Sequence, residues 1–179
     1  MKIGSLRDGD KMDFRLAGMQ DLLQLKDVYK QIVKNMDEQD IQIWDDIYPC
    51  EFFEEDIKNN QLYVLLNNGE IVSAFVLCKT NTGENAVKWN ENHAEAFYID
   101  RLGVNIKYLK KGIGGLMLDK AKEMAKTFGA EYLRLFVVDV NIPATQLYEK
   151  NGFLKADGVY DEAFDDGFVL HEFGYEIKL

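Results

Sequence analysis

The sequence predicts an α/β fold in which strands and helices alternate along one chain. Three stretches carry that reading. Residues 98–118 run as an apolar strand ending in Leu102-Gly103-Val104, a short connection, and a helix opened by Lys110-Lys111-Gly112-Ile113-Gly114-Gly115. Residues 62–66 and 71–78 are apolar runs joined through Asn68-Gly69. Both residues of that dipeptide accept positive φ, which favours a tight hairpin. Residues 132–138 form a near-continuous apolar run, the pattern of a strand covered on both faces.

The remaining elements follow in order. Residues 1–13 are polar and are expected to form a flexible leader. Residues 14–17 read as a first strand. From Asp21, Leu22, Leu25, Tyr29, Ile32, Val33 and Met36 recur at three- and four-residue steps, an amphipathic helix. An aromatic, acidic segment, Trp44-Asp45-Asp46-Ile47-Tyr48, stops at Pro49. A second helix is expected over 51–59, a polar loop over 81–92, and a strand over 96–104. The helix after the glycine loop carries Ile113, Leu116, Met117, Ala121 and Met124 on one side, with Gly129 as its C-terminal cap. Asn141 and Pro143 start a last helix, where proline is tolerated because its missing N–H had no partner. Runs over 154–160 and 168–179 are expected to close the sheet as antiparallel strands.

Length and composition set bounds. A chain of 179 residues fits a single domain, 1–179, with enough core to fold alone. A net charge of −10 argues against non-specific nucleic-acid binding, so nucleic acid is not an expected partner. No apolar run is long enough to span a membrane and no signal-peptide pattern is present, which points to a cytoplasmic protein. Cys50 and Cys78 lack metal-ligand spacing and read as free thiols; no metal is expected.

The glycine stretch has the form of an anion site. The first N–H groups of a helix have no partner within it, and the helix dipole places partial positive charge there. Lys110 and Lys111 stand where a purely structural helix favours Asp or Glu, and Lys107 adds to the same positive patch. The alternative is a glycine turn with solvated lysines. A P-loop is ruled out, since no Gly-x-x-x-x-Gly-Lys followed by Ser or Thr occurs. A dinucleotide fingerprint lacks its third glycine, where Met117 stands, although Asp139 ends the next strand as a ribose-binding acid would.

Leu109-Lys110-Lys111-Gly112-Ile113-Gly114, after a strand ending Leu-x-Val, resembles the acetyl-CoA motif of the GNAT superfamily of N-acetyltransferases, Arg/Gln-x-x-Gly-x-Gly/Ala. Leu109 departs from the usual Arg or Gln. Asn141 to Phe153, NIPATQLYEKNGF, is similar to the family's Asn-x-x-Ala-x-x-Leu-Tyr-x-x-x-Gly-Phe helix. The 44–49 segment resembles some bacterial members. The resemblance covers roughly 14–179. It implies the GNAT fold: a mixed, mostly antiparallel sheet of six to seven strands flanked by four helices. It also implies acetyl-CoA as co-substrate, a small-molecule or peptide amine as acceptor, and a possible homodimer.

Acetyl transfer requires a polarised thioester carbonyl, deprotonation of the amine and stabilisation of the leaving thiolate. By the resemblance, main-chain groups of Leu102, Gly103 and Val104 hold the pantetheine arm and the carbonyl. The loop of Leu109, Lys110, Lys111, Gly112, Ile113, Gly114 and Gly115 holds the pyrophosphate, and Asn141 contacts the arm. Tyr148 is the general acid; its phenol, with a pKa near ~10, stays protonated at neutral pH. Gly103 within a strand independently suggests a bulge or a close backbone approach. Asp100 shares a strand face with Leu102 and is the candidate base, directly or through water; a strand-anchoring charge is the alternative. Trp44, Asp45 and Tyr48, together with Asp100, are the candidate acceptor residues, suited to a cationic amine. His93 and His171 read as surface or structural. A non-catalytic acyl-CoA sensor on the same fold is the competing function.

Overall fold

The computed structural model describes residues 11–164 and 167–179. In chain order the elements are β1 (Met12–Leu16), α1 (Leu22–Asp37), α2 (Phe53–Lys58), β2 (Leu62–Asn67), β3 (Glu70–Cys78), β4 (Val87–Lys88) and β5 (Ala96–Val104). There follow α3 (Ile113–Thr127), β6 (Tyr132–Val138), α4 (Ile142–Lys150), β7 (Leu154–Lys155), β8 (Asp157–Gly158), β9 (Tyr160–Ala163) and β10 (Val169–Lys178). The expected class forms: a mixed, mostly antiparallel sheet with four α-helices. The chain divides into two compact units, one made of residues up to 76 with 101–117, the other of 77–100 with 118–179. Strand β5 belongs to both and passes from one to the other between Asp100 and Arg101.

The first unit is built on the strand order β1-β2-β3-β5. The hairpin between β2 and β3 turns at Asn68 (φ 49°) and Gly69 (φ 86°), the two positive φ values that a two-residue turn of this hand demands. The expected leader is shorter than 1–13. Met12 and Asp13 pair with Asn67 and Leu66 as the start of β1, because the alternation set by Phe14 extends back to them; residues 1–10 of the leader lie outside the described residues. Helix α1 buries Leu25, Tyr29, Ile32 and Val33 of its expected stripe, and Val28 with them, while Leu22 and Met36 stay partly exposed. A short 3₁₀ turn at Met19–Asp21 precedes it. The Asp21 carboxylate accepts from Gly18 N and Arg15 Nη1, both at 2.7 Å. Arg15 holds that carboxyl below its usual range.

In the second unit, β5 pairs in parallel with β6 from Ala96↔Tyr132 to Ile99↔Leu135. β10 covers the whole of β6 antiparallel, from Glu172↔Val138 to Lys178↔Tyr132. The single strand expected over 154–160 is three short pieces. Leu154–Lys155 pairs with β10, Asp157–Gly158 leaves it to pair with β4, and Tyr160–Ala163 returns to β10. Gly158 makes the exit possible: its φ is +107°, and a Cβ there would stand 3.0 Å from Ala86 O. The segment 81–92 is therefore not wholly loop.

Trp89 anchors that segment. It is 4% exposed, meets Tyr98 and Phe136 edge-on at 6.2 and 5.5 Å, and lies 4.6 Å from the Arg134 guanidinium carbon. Gly174 in β10 faces it, where a Cβ would come 2.9 Å from the indole. Arg134 bonds Glu176 at 3.2 Å and Glu91 O at 2.7 Å, and Glu176 accepts from Asn90 N at 2.6 Å. Each charge in this buried pair is thus met by local backbone as well as by its partner, which a buried ion pair requires. Cys50, buried, and Cys78, half-buried, are thiols and not halves of a disulfide. Among the described residues no helix is long and apolar enough to cross a membrane.

Candidate functional site

The candidate residues form a largely main-chain group in the first unit and a side-chain group in the second. The glycine loop belongs to the first. Asn105, 3% exposed, anchors its start: N–H to Val72 O at 2.9 Å, Nδ2 to Ile71 O at 2.9 Å, and Oδ1 accepting from Lys107 N at 3.1 Å. The chain then turns through Lys110 (φ 59°) and Gly112 (φ 81°) into α3. A Cβ at Gly112 would meet nothing within 4 Å, so glycine serves its φ and not a close contact. The first intrahelical bond runs from Leu116 N to Gly112 O at 3.1 Å. The N–H groups of Ile113, Gly114 and Gly115 therefore precede the helix ladder. Buried Ile113 pins the turn from below.

The lysines are not equivalent. Lys107 Nζ lies 2.5 Å from Glu70 Oε1, and Tyr108 Oη donates to the same carboxylate at 2.8 Å. Together they hold Glu70 below its usual range, and most of the Lys107 charge is locally cancelled. Lys111 Nζ sits 4.9 Å from the Tyr108 ring centroid, and Lys110 is exposed. Leu109 presents an apolar side chain, 42% exposed.

Strand β5 shows the close approach that a glycine within it suggests, near a residue of positive φ. The turned residue is Arg101, with φ 53°. Gly103 is the close approach: a Cβ there would stand 2.7, 2.8 and 2.9 Å from Cζ, Oη and Cε1 of Tyr29. Ser73 Oγ donates to Gly103 O at 2.6 Å. Arg101 is locked by a buried ion pair with Asp56 at 2.8 Å and rests 5.4 Å from the Phe52 ring centroid. Trp44 stacks on Tyr29 at 5.6 Å. Tyr48 packs edge-on to Phe52 at 5.8 Å. Asp45 Oδ1 accepts from Ile47 N and Tyr48 N, both at 2.7 Å, so that oxygen closes its own turn. Sequence reading took Tyr29 as one member of a helix stripe and missed its hydroxyl and ring contacts; a glycine opposite an aromatic gives no signal in one dimension.

In the second unit, Asn141 caps α4 by accepting from Ala144 N at 3.3 Å. Tyr148 on α4 is buried between Phe153 and Tyr175, with ring centroids 6.0 and 6.4 Å away. Burial, and then the charge of Asp100, push its phenol well above 10. Tyr148 therefore stays protonated across the neutral range and keeps a proton to donate. The helix ends as its Asn-Gly pair predicts, with Gly152 at φ 86° and Phe153 N bonding Tyr148 O at 3.1 Å.

One carboxyl here was not anticipated. Glu172 on β10 lies opposite Val138 and Tyr160. Burial, the charge and hydrogen bond of Glu162, and the charge of Asp100 raise it to about 8. Asp100 thus acts electrostatically on both Tyr148 and Glu172. A glutamate in an alternating late strand looks like a surface charge in sequence, since alternation does not show which strands flank it. His171 pairs with Asp161 at 2.7 Å on the exposed hairpin, and His93 is exposed. Among the described residues no group of three His, Cys, Asp or Glu is placed to hold a metal ion.

Comparison with known proteins bears on this arrangement. A family model described as the acetyltransferase (GNAT) family matches residues 20–153. An inferred phosphinothricin acetyltransferase of Bacillus subtilis, YwnH, is 29% identical over 103 residues, 58% of this chain and 59% of that protein. The chain thus spans about three fifths of that relative's length. The crystal structure of an inferred acetyltransferase from Staphylococcus aureus aligns with TM-score 0.69 and 27% identity, covering 92% of this chain and 97% of that one. The structure of yncA, an inferred acetyltransferase from Salmonella typhimurium solved with its cofactor acetyl-CoA, aligns with TM-score 0.65 and 15% identity over 94% of each chain. With the family model spanning most of the chain, and both sequence motifs falling on the elements expected of them, the protein belongs to the GNAT family of acetyltransferases.

Proposed function

We propose that the protein moves an acetyl group from acetyl-CoA to a primary amine by direct attack within a ternary complex. The observation that carries this reading is the turn at Lys110 and Gly112, which leaves the N–H groups of Ile113, Gly114 and Gly115 ahead of the α3 ladder beside two exposed lysines. Those groups suit a pyrophosphate. Acetyl-CoA, which accompanies the related fold of yncA, is the co-substrate that this fits.

Each residue then has a task. Main-chain groups of Leu102, Gly103 and Val104 hold the pantetheine arm and polarise the thioester carbonyl. As the C–N bond forms and the C–S bond breaks, Tyr148 gives its proton to the departing sulfur. The ammonium proton leaves to Asp100, directly or through water, while Glu172, raised to about 8, already carries its own proton at neutral pH and stands beside Asp100 as a neutral neighbour. The acids beside Glu172, Asp100 and Glu162, also suit an acceptor that arrives as a cation. Trp44 and Tyr48 offer it an aromatic face.

Thiol release from acetyl-CoA with a panel of amines tests the reading. Tyr148→Phe should lower kcat by about 10²–10⁴-fold, the usual worth of a general acid, while CoA binding by calorimetry changes little. CoA binding without thiol release from any amine would favour a sensor. A Tyr148→Phe variant at the wild-type rate would make the tyrosine structural.

A further inference from the structure

We propose that Tyr29 is a positioning residue for the transfer, fixing the direction of the β5 main chain from Arg101 to Gly103 and tying it to the aromatic floor at Trp44. The inference rests on the proposed role of that main chain in holding the thioester. Tyr29 lies in the middle of α1 and is 1% exposed. Its hydroxyl donates to Arg101 O at 2.6 Å, with Ala74 O at 3.2 Å as the second, weaker acceptor. Arg101 is the residue that β5 turns to positive φ. Positive φ departs from the extended geometry of a strand, and a carbonyl held there inside the protein, like any buried one, needs a donor. Tyr29 brings that donor from a helix, and Ala74 ties the same hydroxyl to the neighbouring strand β3.

The ring acts on the next two residues. Gly103 has no side chain where the tip of Tyr29 sits, at 2.7–2.9 Å from the position its Cβ would take. The tip is a stop against which β5 rests, and Ser73 Oγ draws Gly103 O from the β3 side at 2.6 Å. The body of the ring stacks on Trp44 at 5.6 Å and meets Phe53 edge-on at 4.7 Å. One rigid side chain with two torsions thus touches the thioester strand with its tip and the acceptor segment with its face.

The experiment compares the full-length protein with Tyr29→Phe, which removes the hydroxyl and keeps the ring, and with Gly103→Ala, which pushes on the same tip. Steady-state rates, amine KM, CoA affinity by calorimetry and thermal midpoints are measured for all three. A misplacement of about an ångström at a reacting centre can cost ~10²-fold. Tyr29→Phe should therefore lower kcat by about 10–100-fold, with amine KM and CoA affinity within about threefold of wild type. Gly103→Ala should show the same split. A Tyr29→Phe protein that melts earlier but keeps wild-type kcat per folded molecule overturns the positioning role. So does a loss confined to KM. Should Tyr29→Phe not fold, wild-type kcat in Gly103→Ala overturns it and the kcat-selective loss supports it. Wild-type protein that binds no CoA and releases no thiol overturns the function itself, and this role with it.

Discussion

Two strands of this molecule give up a side chain to admit an aromatic ring. In β10, Gly174 makes room for Trp89; in β5, Gly103 makes room for Tyr29. The sterics match, with the missing Cβ under 3 Å from the ring in each case. The polar ends differ. Trp89 Nε1 donates at 2.8 Å to Glu84 O, five residues away in its own loop. Tyr29 Oη reaches Arg101 O across 72 residues, at a backbone held at positive φ. The first contact closes a loop onto a sheet. The second holds a distant strand in an unusual conformation. A glycine–aromatic contact is thus not itself a sign of function; the destination of the polar atom separates the two.

The widest separation should come from Trp89→Ala. Removing a buried indole from Tyr98, Phe136 and Arg134 is expected to cost about 3–5 kcal/mol of stability, read from urea denaturation. Transfer per folded molecule should stay at the wild-type level. A specific loss of kcat would erase the contrast between the two contacts. Gly174→Ala comes next. Its Cβ would meet the far edge of the indole and Val87 Cγ2, at 2.9 and 3.0 Å, and overpacking of this kind costs about 1–3 kcal/mol. Gly103→Ala should lose a similar amount, but only there should kcat fall as well.

A pH dependence sharpens the second unit. Glu172 sits at about 8 in the folded protein, above the ordinary glutamate range near ~4.3. Between those values the folded state holds a proton that the unfolded chain has released. Stability should therefore decline as pH rises from about 5 to 8 and level off beyond. Glu172→Gln should flatten that slope and shift the rising limb of the rate profile. Identical slopes in the two proteins would place the carboxyl outside this linkage.

These contrasts show what a one-dimensional reading reaches. The hairpin at Asn68-Gly69, strand β5, the glycine turn and the α4 motif were legible because each is local. Apolar runs bounded by glycine, or a cap beside its own helix, carry their partners within a few residues. The Tyr148 environment was half legible, since the motif marks the tyrosine but not the burial that raises it. Tyr29, Asp56 and Glu172 were not legible as site residues. Each matters through a group far off in sequence: Arg101 O for Tyr29, the Arg101 side chain for Asp56, Asp100 or Val138 for Glu172. The 154–163 stretch misled for the same reason, because its middle pairs with β4 instead of continuing along β10.

The two tryptophans fall one to each unit, Trp44 in the first and Trp89 in the second. Trp44 is partly solvated and lies on a tyrosine, whereas Trp89 is enclosed under a guanidinium. The chain therefore carries two native fluorophores in unlike surroundings. Trp44→Phe leaves only the emission of Trp89, and Trp89→Phe leaves only that of Trp44. Superimposable denaturation curves from the two single-tryptophan proteins, after allowance for any change in stability, would mean that the units melt as one cooperative body. Separated curves would order their unfolding without a label being attached.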